Sequence, residues 1–146
     1  MTALDDLSPA SAELVFAALD YAVENAGISD EGFTPFALFD SLGGRSVTRF
    51  VSGDGSNLAE CLAAGREELR AVEQDVTCVA LAWDGYYTHK GQRSEAVFVE
   101  AYEIGKDKGL LLAQRYSREA GGLTVQGNPR LIGEPEPLVT YQRASE

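Results

Sequence analysis

Glu100 is the residue whose setting comes nearest to chemistry by itself. It stands in the middle of an apolar, β-branched and aromatic run, and strand pairing would set it between Leu81 and Gln114. A carboxylate in such a surround has its charged form disfavoured, so its pKa is raised and it becomes usable as a general acid or base. The structural alternative is a carboxylate bonded to Gln114, to a tyrosine hydroxyl or to a nearby arginine. One acid without a partner favours the structural reading.

The other reactive residue types are isolated. His89 is the single histidine and lies beside a turn, which excludes a two-histidine metal site and the HExxH pattern. A triad built on it would need a nucleophile, yet no GxSxG elbow exists. Cys61 and Cys78 sit among apolar neighbours, in no context that marks a reactive thiol, and read as small buried core residues. Glu95, Glu100, Glu103 and Asp107 suggest a nuclease-like cation site, but the ExK element is missing and strand alternation splits Glu100 from Glu95 and Glu103. The turn Ser52-Gly53-Asp54-Gly55-Ser56-Asn57 precedes a helix, where backbone amides can cradle phosphate. It lacks the P-loop lysine and glycine spacing, and Asp54 would repel an anion, so it reads as a capping turn. These exclusions leave no catalytic or metal-ligating residue assigned and no cofactor expected. The run Asp84-Gly85-Tyr86-Tyr87-Thr88-His89-Lys90-Gly91 gathers polar and aromatic groups at one sheet end; Tyr86, Tyr87 and His89 make it the best local candidate for a contact surface.

The elements that position these residues are three strands, Val76 to Tyr87, Ser94 to Glu103 and Leu110 to Tyr116, separated by Lys90-Gly91 and by Gly105 to Gly109. A two-residue loop at Lys90-Gly91 sets Trp83 opposite Phe98, Leu81 opposite Glu100 and Val79 opposite Tyr102. Centring the second turn on Asp107 sets Phe98 opposite Tyr116, Glu100 opposite Gln114 and Tyr102 opposite Leu112. One face then carries the aromatic row Trp83, Phe98 and Tyr116 and is the expected core. The other carries Cys78, Ala80, Ala82, Val97, Val99, Ala101, Leu111 and Ala113, apolar but small.

Ser8-Pro9 is a helix start, with Gly27 as its stop, and Leu14, Val15, Ala18, Leu19, Ala22, Val23 and Ala26 form one apolar stripe. Phe33 to Asp40 and Arg45 to Val51 predict a hairpin around Leu42-Gly43-Gly44. Arg45 and Arg49 alternate along it as a solvated strand face. A second helix runs from Asn57 to about Gln74, with Asn57 and Glu60 at capping-box spacing. Leu123 to Val125 could add a short strand, and the segment 127–146, broken by Pro129, Pro135 and Pro137, reads as an extended proline-rich tail.

At 146 residues the chain fits a single domain over 1–146. Twelve basic against twenty-three acidic residues give a formal charge of −11, which argues against nucleic acid and anionic membrane as partners. No basic leader or bilayer-length apolar run is present, so a cytoplasmic location is expected.

The order helix, two strands, helix, three strands resembles the profilin-like and Roadblock-type scaffold, in which helices cover one face of an antiparallel sheet. The run from Asp84 to Gln114, with Asp84-Gly85-Tyr86, Glu95-Ala96-Val97-Phe98-Val99-Glu100-Ala101 and Leu111-Leu112-Ala113-Gln114-Arg115-Tyr116, is also similar to that of small bacterial proteins with no assigned activity. The expected fold is therefore α+β, a mostly antiparallel sheet of five to six strands with two helices on one face. Helices on the aromatic face would leave the small-residue strip open, and a homodimer through Val97, Val99 and Ala101 follows; Val99→Lys would then give a folded monomer. Two rival covers are a division of the helices between the faces and a tail folded back over the strip. In function the expectation is a non-catalytic protein-interaction or scaffold domain. The alternative is a small-molecule-binding or enzymatic domain using Glu100 or the 84–91 hairpin, which would show a deep pocket where Glu100 or His89 meets a second polar group.

Overall fold

Serine and proline begin the first helix as their chemistry dictates. The Ser11 amide donates to Ser8 Oγ at 3.2 Å and the Ala12 amide to the Ser8 carbonyl at 2.9 Å, so Ser8 is the N-cap and Pro9 the first helical residue. The computed structural model describes residues 7–28, 33–50, 58–69, 76–119 and 122–139. Its elements are α1 (Pro9–Ile28), β1 (Phe36–Ser41), β2 (Gly44–Arg49), α2 (Leu58–Leu69), β3 (Val76–His89), β4 (Gln92–Glu103), β5 (Leu110–Glu119) and β6 (Gly122–Gly133). The strands form one antiparallel sheet in the order β2-β1-β3-β4-β5-β6, an α+β fold. The 52–57 turn, Asn57 as cap and the stretch 70–74 lie outside the described residues.

The two turns of the central meander behave differently. Lys90 and Gly91 both have positive φ, 52° and 79°, the backbone of a type I′ turn whose twist matches its strands. That turn pins Trp83↔Phe98, Leu81↔Glu100 and Val79↔Tyr102, as expected. The second turn does not centre on Asp107. It closes earlier, with the Lys106 amide donating to the Glu103 carbonyl at 3.1 Å and Gly105 at φ 99° in the position where a type II turn needs glycine. The observed pairs are Glu95↔Tyr116, Phe98↔Ala113 and Glu100↔Leu111, three residues away from the expected ones. An odd shift turns every side chain over, so Tyr116 and Leu112 leave the aromatic face and join the small-residue face.

That small-residue face is covered within the chain itself. Leu14, Val15, Ala18, Leu19, Ala22 and Ala26 of α1 pack on Cys78, Ala80, Ala82, Val97, Val99 and Ala101, where short side chains admit a helix closely. Val97 and Val99 are 0% exposed and Ala101 1%. The expectation that both helices share the aromatic face is thus corrected, and the helices divide between the faces. The open strip that a homodimer through Val97, Val99 and Ala101 requires is absent, because α1 covers these residues. α2 takes the other face through Leu62 and Leu69, against Phe50, Val79, Leu81 and Tyr102. Farther along that face Trp83 stacks on Phe98 at 5.5 Å, beside Ala96, Ala113 and Ile132.

β6 exceeds the short strand expected at Leu123–Val125, running through Asn128-Pro129 to Gly133. As an edge strand it tolerates a proline that has no amide to donate. It bulges at Gly127, φ 73°, where the buried Gln114 amide donates to the Gly127 carbonyl at 3.1 Å. Of the tail expected over 127–146, residues 127–133 are therefore strand, 134–139 follow it without helix or strand, and 140–146 lie outside the described residues. The 134–139 stretch is strapped to the body by the Gly109 amide on the Pro135 carbonyl at 2.8 Å, by a Lys108–Glu136 ion pair, and by burial of Leu138 and Val139 beside α2. A Cβ at Gly109 would stand 2.7 Å from the Ala101 carbonyl oxygen, so only glycine fits there.

Candidate functional site

Glu100 sits on β4, 4% exposed, beneath α2. Arg66 of α2 donates Nη1 to its Oε1 at 2.6 Å, and the same guanidinium lies 5.1 Å from the centroid of the Trp83 ring. The carboxylate's partner is thus the arginine among the expected possibilities, not Gln114, which the shifted register places on the opposite face against the β6 bulge. Glu100 lines neither of the two cavities described below.

A second ionisable cluster forms at the far end of the sheet. Tyr116 donates its hydroxyl to Asp84 Oδ1 at 2.8 Å. Arg118, two residues along β5 and on the same face, donates Nε to Glu95 Oε1 at 3.3 Å and Nη1 to the Ala26 carbonyl at 2.8 Å. That last bond caps the C-terminal end of α1 with a cation, where the helix leaves carbonyls unsatisfied. Burial pushes the Asp84 carboxyl up, against the opposing pull of the Tyr116 hydrogen bond and the Arg118 charge. Burial, the bond to Asp84 and the nearby carboxylates push the Tyr116 phenol well above its ordinary range, so it serves as a hydrogen-bond donor throughout the physiological range.

Just beyond this cluster the sheet divides. Pairing between β4 and β5 ends at Glu95↔Tyr116, while β3–β4 pairing continues to His89↔Gln92 and β5–β6 pairing to Glu119↔Gly122. The two hairpins part and leave a cleft of about 590 Å³. One wall is Gln92, Arg93, Ser94 and Glu95 of β4; the other is Arg115, Tyr116, Ser117 and Arg118 of β5 with Gln126 of β6. A smaller cavity of about 340 Å³ lies at the N-terminus of α1, lined by Leu7, Glu103, the 106–110 loop and Glu134. There the Ser8 amide donates to Glu103 Oε1 at 2.9 Å. Although burial alone would raise it, this bond and those to the Ser11 and Ser8 hydroxyls hold the Glu103 carboxyl below its usual range.

The residues expected to form contact surfaces, at the 84–91 hairpin and on the small-residue strip, are dispersed or buried. Tyr86 is 61% exposed on the α1 side of the sheet, with the Arg93 guanidinium 4.2 Å over its ring. Tyr87, one residue on, points to the opposite face and packs with Trp83 and Phe98. His89 ends β3, and its side chain lies outside the described residues. Val97, Val99 and Ala101 are core under α1 and offer no surface. Arg66, Arg93 and Arg118 carry no signal in the sequence that marks them as site residues. The Tyr116/Arg118 spacing of two does put both on one face, but which face followed from the register.

Among the described residues no three His, Cys, Asp or Glu side chains group closely enough to hold a metal ion. Nor is any described helix long and apolar enough to cross a membrane. No protein-family model, no curated protein and no solved structure matches the chain.

Cys78 gives a chemical check on this layering. Its thiol lies between β3 and α1, 1% exposed, and desolvation pushes its pKa up to about 11 despite a hydrogen bond with Ser11. At pH 8 the folded protein should resist alkylation by iodoacetamide at Cys78, with labelling on unfolding in guanidinium, read by peptide mass spectrometry. Native labelling at the rate of a free thiol would contradict α1's place on this face.

Proposed function

We propose that the protein is a non-catalytic protein-interaction domain that receives an extended segment of its partner along the β2 edge. The observation that carries this reading is the contrast between the two sheet edges. All six residues of β2, Gly44 to Arg49, are exposed, and the strand contains neither proline nor bulge. β6, at the opposite edge, has Pro129 in its middle and a bulge at Gly127. Both features interrupt pairing with a further strand, whereas β2 keeps a regular row of main-chain donors and acceptors open to one.

The side chains of β2 give that partner a chemistry. Arg45, Val47 and Arg49 share the face on which α1 lies, with Val47 47% exposed between the two arginines. Arg45 is oriented by a forked pair of bonds to Asp40, at 2.7 and 3.2 Å, and Arg49 by the Tyr21 hydroxyl. A strand carrying an apolar residue flanked by acids two positions away on each side complements this row. The non-catalytic part rests on Glu100, which is buried and engaged by Arg66.

Peptides selected from a random displayed library on the whole protein test the reading. Binders should alternate acidic and apolar residues, shift the backbone amide signals of Gly44 to Arg49 in NMR titrations, and lose affinity on Val47→Pro. Binders that map elsewhere, or none at all, would refute it.

A further inference from the structure

We infer that the cleft between the two parted hairpins is a binding site for a small oxyanion, the phosphate or carboxylate group of a ligand, held by Arg93 and Arg115 with the charge of the internally bonded Arg118 beside them. This inference makes no use of β2 and stands apart from the reading above. In a chain with 12 basic and 23 acidic residues, three arginines line one cleft against a single carboxylate, Glu95. That carboxylate already accepts from Arg118 at 3.3 Å and faces the Tyr116 hydroxyl. Arg93 is steered by its stacking on Tyr86, and among the described residues no carboxylate pairs with Arg93 or Arg115. The remaining polar lining, Ser94, Ser117, Gln92 and Gln126, consists of groups that can all donate hydrogen bonds.

Strand alternation distributes these donors through the cleft. Arg93 and Arg118 lie on the α1 side, and Arg115 with Ser94 and Ser117 lies on the other, so an anion between the arms meets cations from both. A cation would be repelled, and a neutral ligand would leave the guanidinium groups of Arg93 and Arg115 unmatched. A tetrahedral or planar oxyanion accepts the paired donors of the guanidinium fork. The protein's charge of −11 does not override this, because at physiological ionic strength exposed charges are screened beyond about 8 Å and the nearest groups dominate.

The test is an NMR titration of the full chain at constant pH and ionic strength, once with inorganic phosphate and once with succinate. Saturable shifts confined to residues 92–95, 115–118 and 126 are expected, and the tighter of the two anions names the source of the oxyanion. Arg93→Ser combined with Arg115→Ser should weaken binding about tenfold or more, as the loss of charge-assisted hydrogen bonds implies, while Arg49→Ser on β2 should leave it within about twofold. Should the double variant fold poorly, Arg93→Ser alone, at an exposed position, should still weaken binding about threefold. No saturation with either anion, shifts spread over arginines elsewhere, or equal weakening by Arg49→Ser would overturn the site. Loss of peptide binding at β2 with anion binding intact would refute only the interaction reading.

Discussion

Val99→Lys is expected to unfold the protein rather than release a soluble, folded subunit. Val99 is 0% exposed in the layer between α1 and β4, opposite Ala82 on β3 and Leu112 on β5. The change removes a buried apolar side chain, worth roughly 1.5–3 kcal/mol, and buries an ammonium with no counter-ion among the core residues around it. An unpaired buried charge adds several kcal/mol more, so the loss should exceed about 4 kcal/mol, a large share of the 5–15 kcal/mol typical of a domain. Circular dichroism at 25 °C should show lost native signal and no cooperative melting. A folded Val99→Lys monomer, the outcome an open strip would give, would mean that α1 does not lie on this face. Val47→Lys on exposed β2 is the matched control and should change stability by no more than about 0.5 kcal/mol.

The second large effect belongs to Arg66→Ala. Glu100 is 4% exposed, and Arg66 is its ion-pair partner, with 39% of the arginine side chain open to solvent. Removing one member of a buried pair leaves the other charge uncompensated, which costs about 3–5 kcal/mol; the partly wet arginine puts this case near the lower end. Urea melts should show a loss of about 3 kcal/mol, followed through the fluorescence of Trp83, the chain's one tryptophan, over which the guanidinium lies. Pairing Arg66→Leu with Glu100→Leu should recover most of it, since an apolar replacement of both partners removes the desolvation penalty. A loss below about 1 kcal/mol for Arg66→Ala would show that Glu100 finds another partner, and would remove the argument that it is a structural residue.

What the sequence determined by itself was everything fixed by short-range chemistry. Ser8-Pro9 sets the start of α1, the three-four spacing sets its buried stripe, and Lys90-Gly91 sets a two-residue turn whose register propagates along β3 and β4 as far as Cys78↔Glu103. The antiparallel α+β class followed from the same signals. The tertiary structure decided whatever depends on groups far apart in the chain. Gly105 and Gly109 were equally good turn residues; the closure at Gly105 is accompanied by an Ile104 amide bond to the Thr77 carbonyl at 3.0 Å, and Gly109 meets the Ala101 carbonyl and Pro135. That choice moved the register by three, turned Tyr116 toward Asp84 and Arg118, and left Glu100 to Arg66. Periodicity reports that a face is apolar, but not which element covers it. The assignment of α1 to the small-residue face and α2 to the aromatic one comes from packing: short side chains admit α1 onto β3 and β4, while α2 fits over the aromatic face where Gly65, lacking a side chain, leaves room for the Phe50 ring.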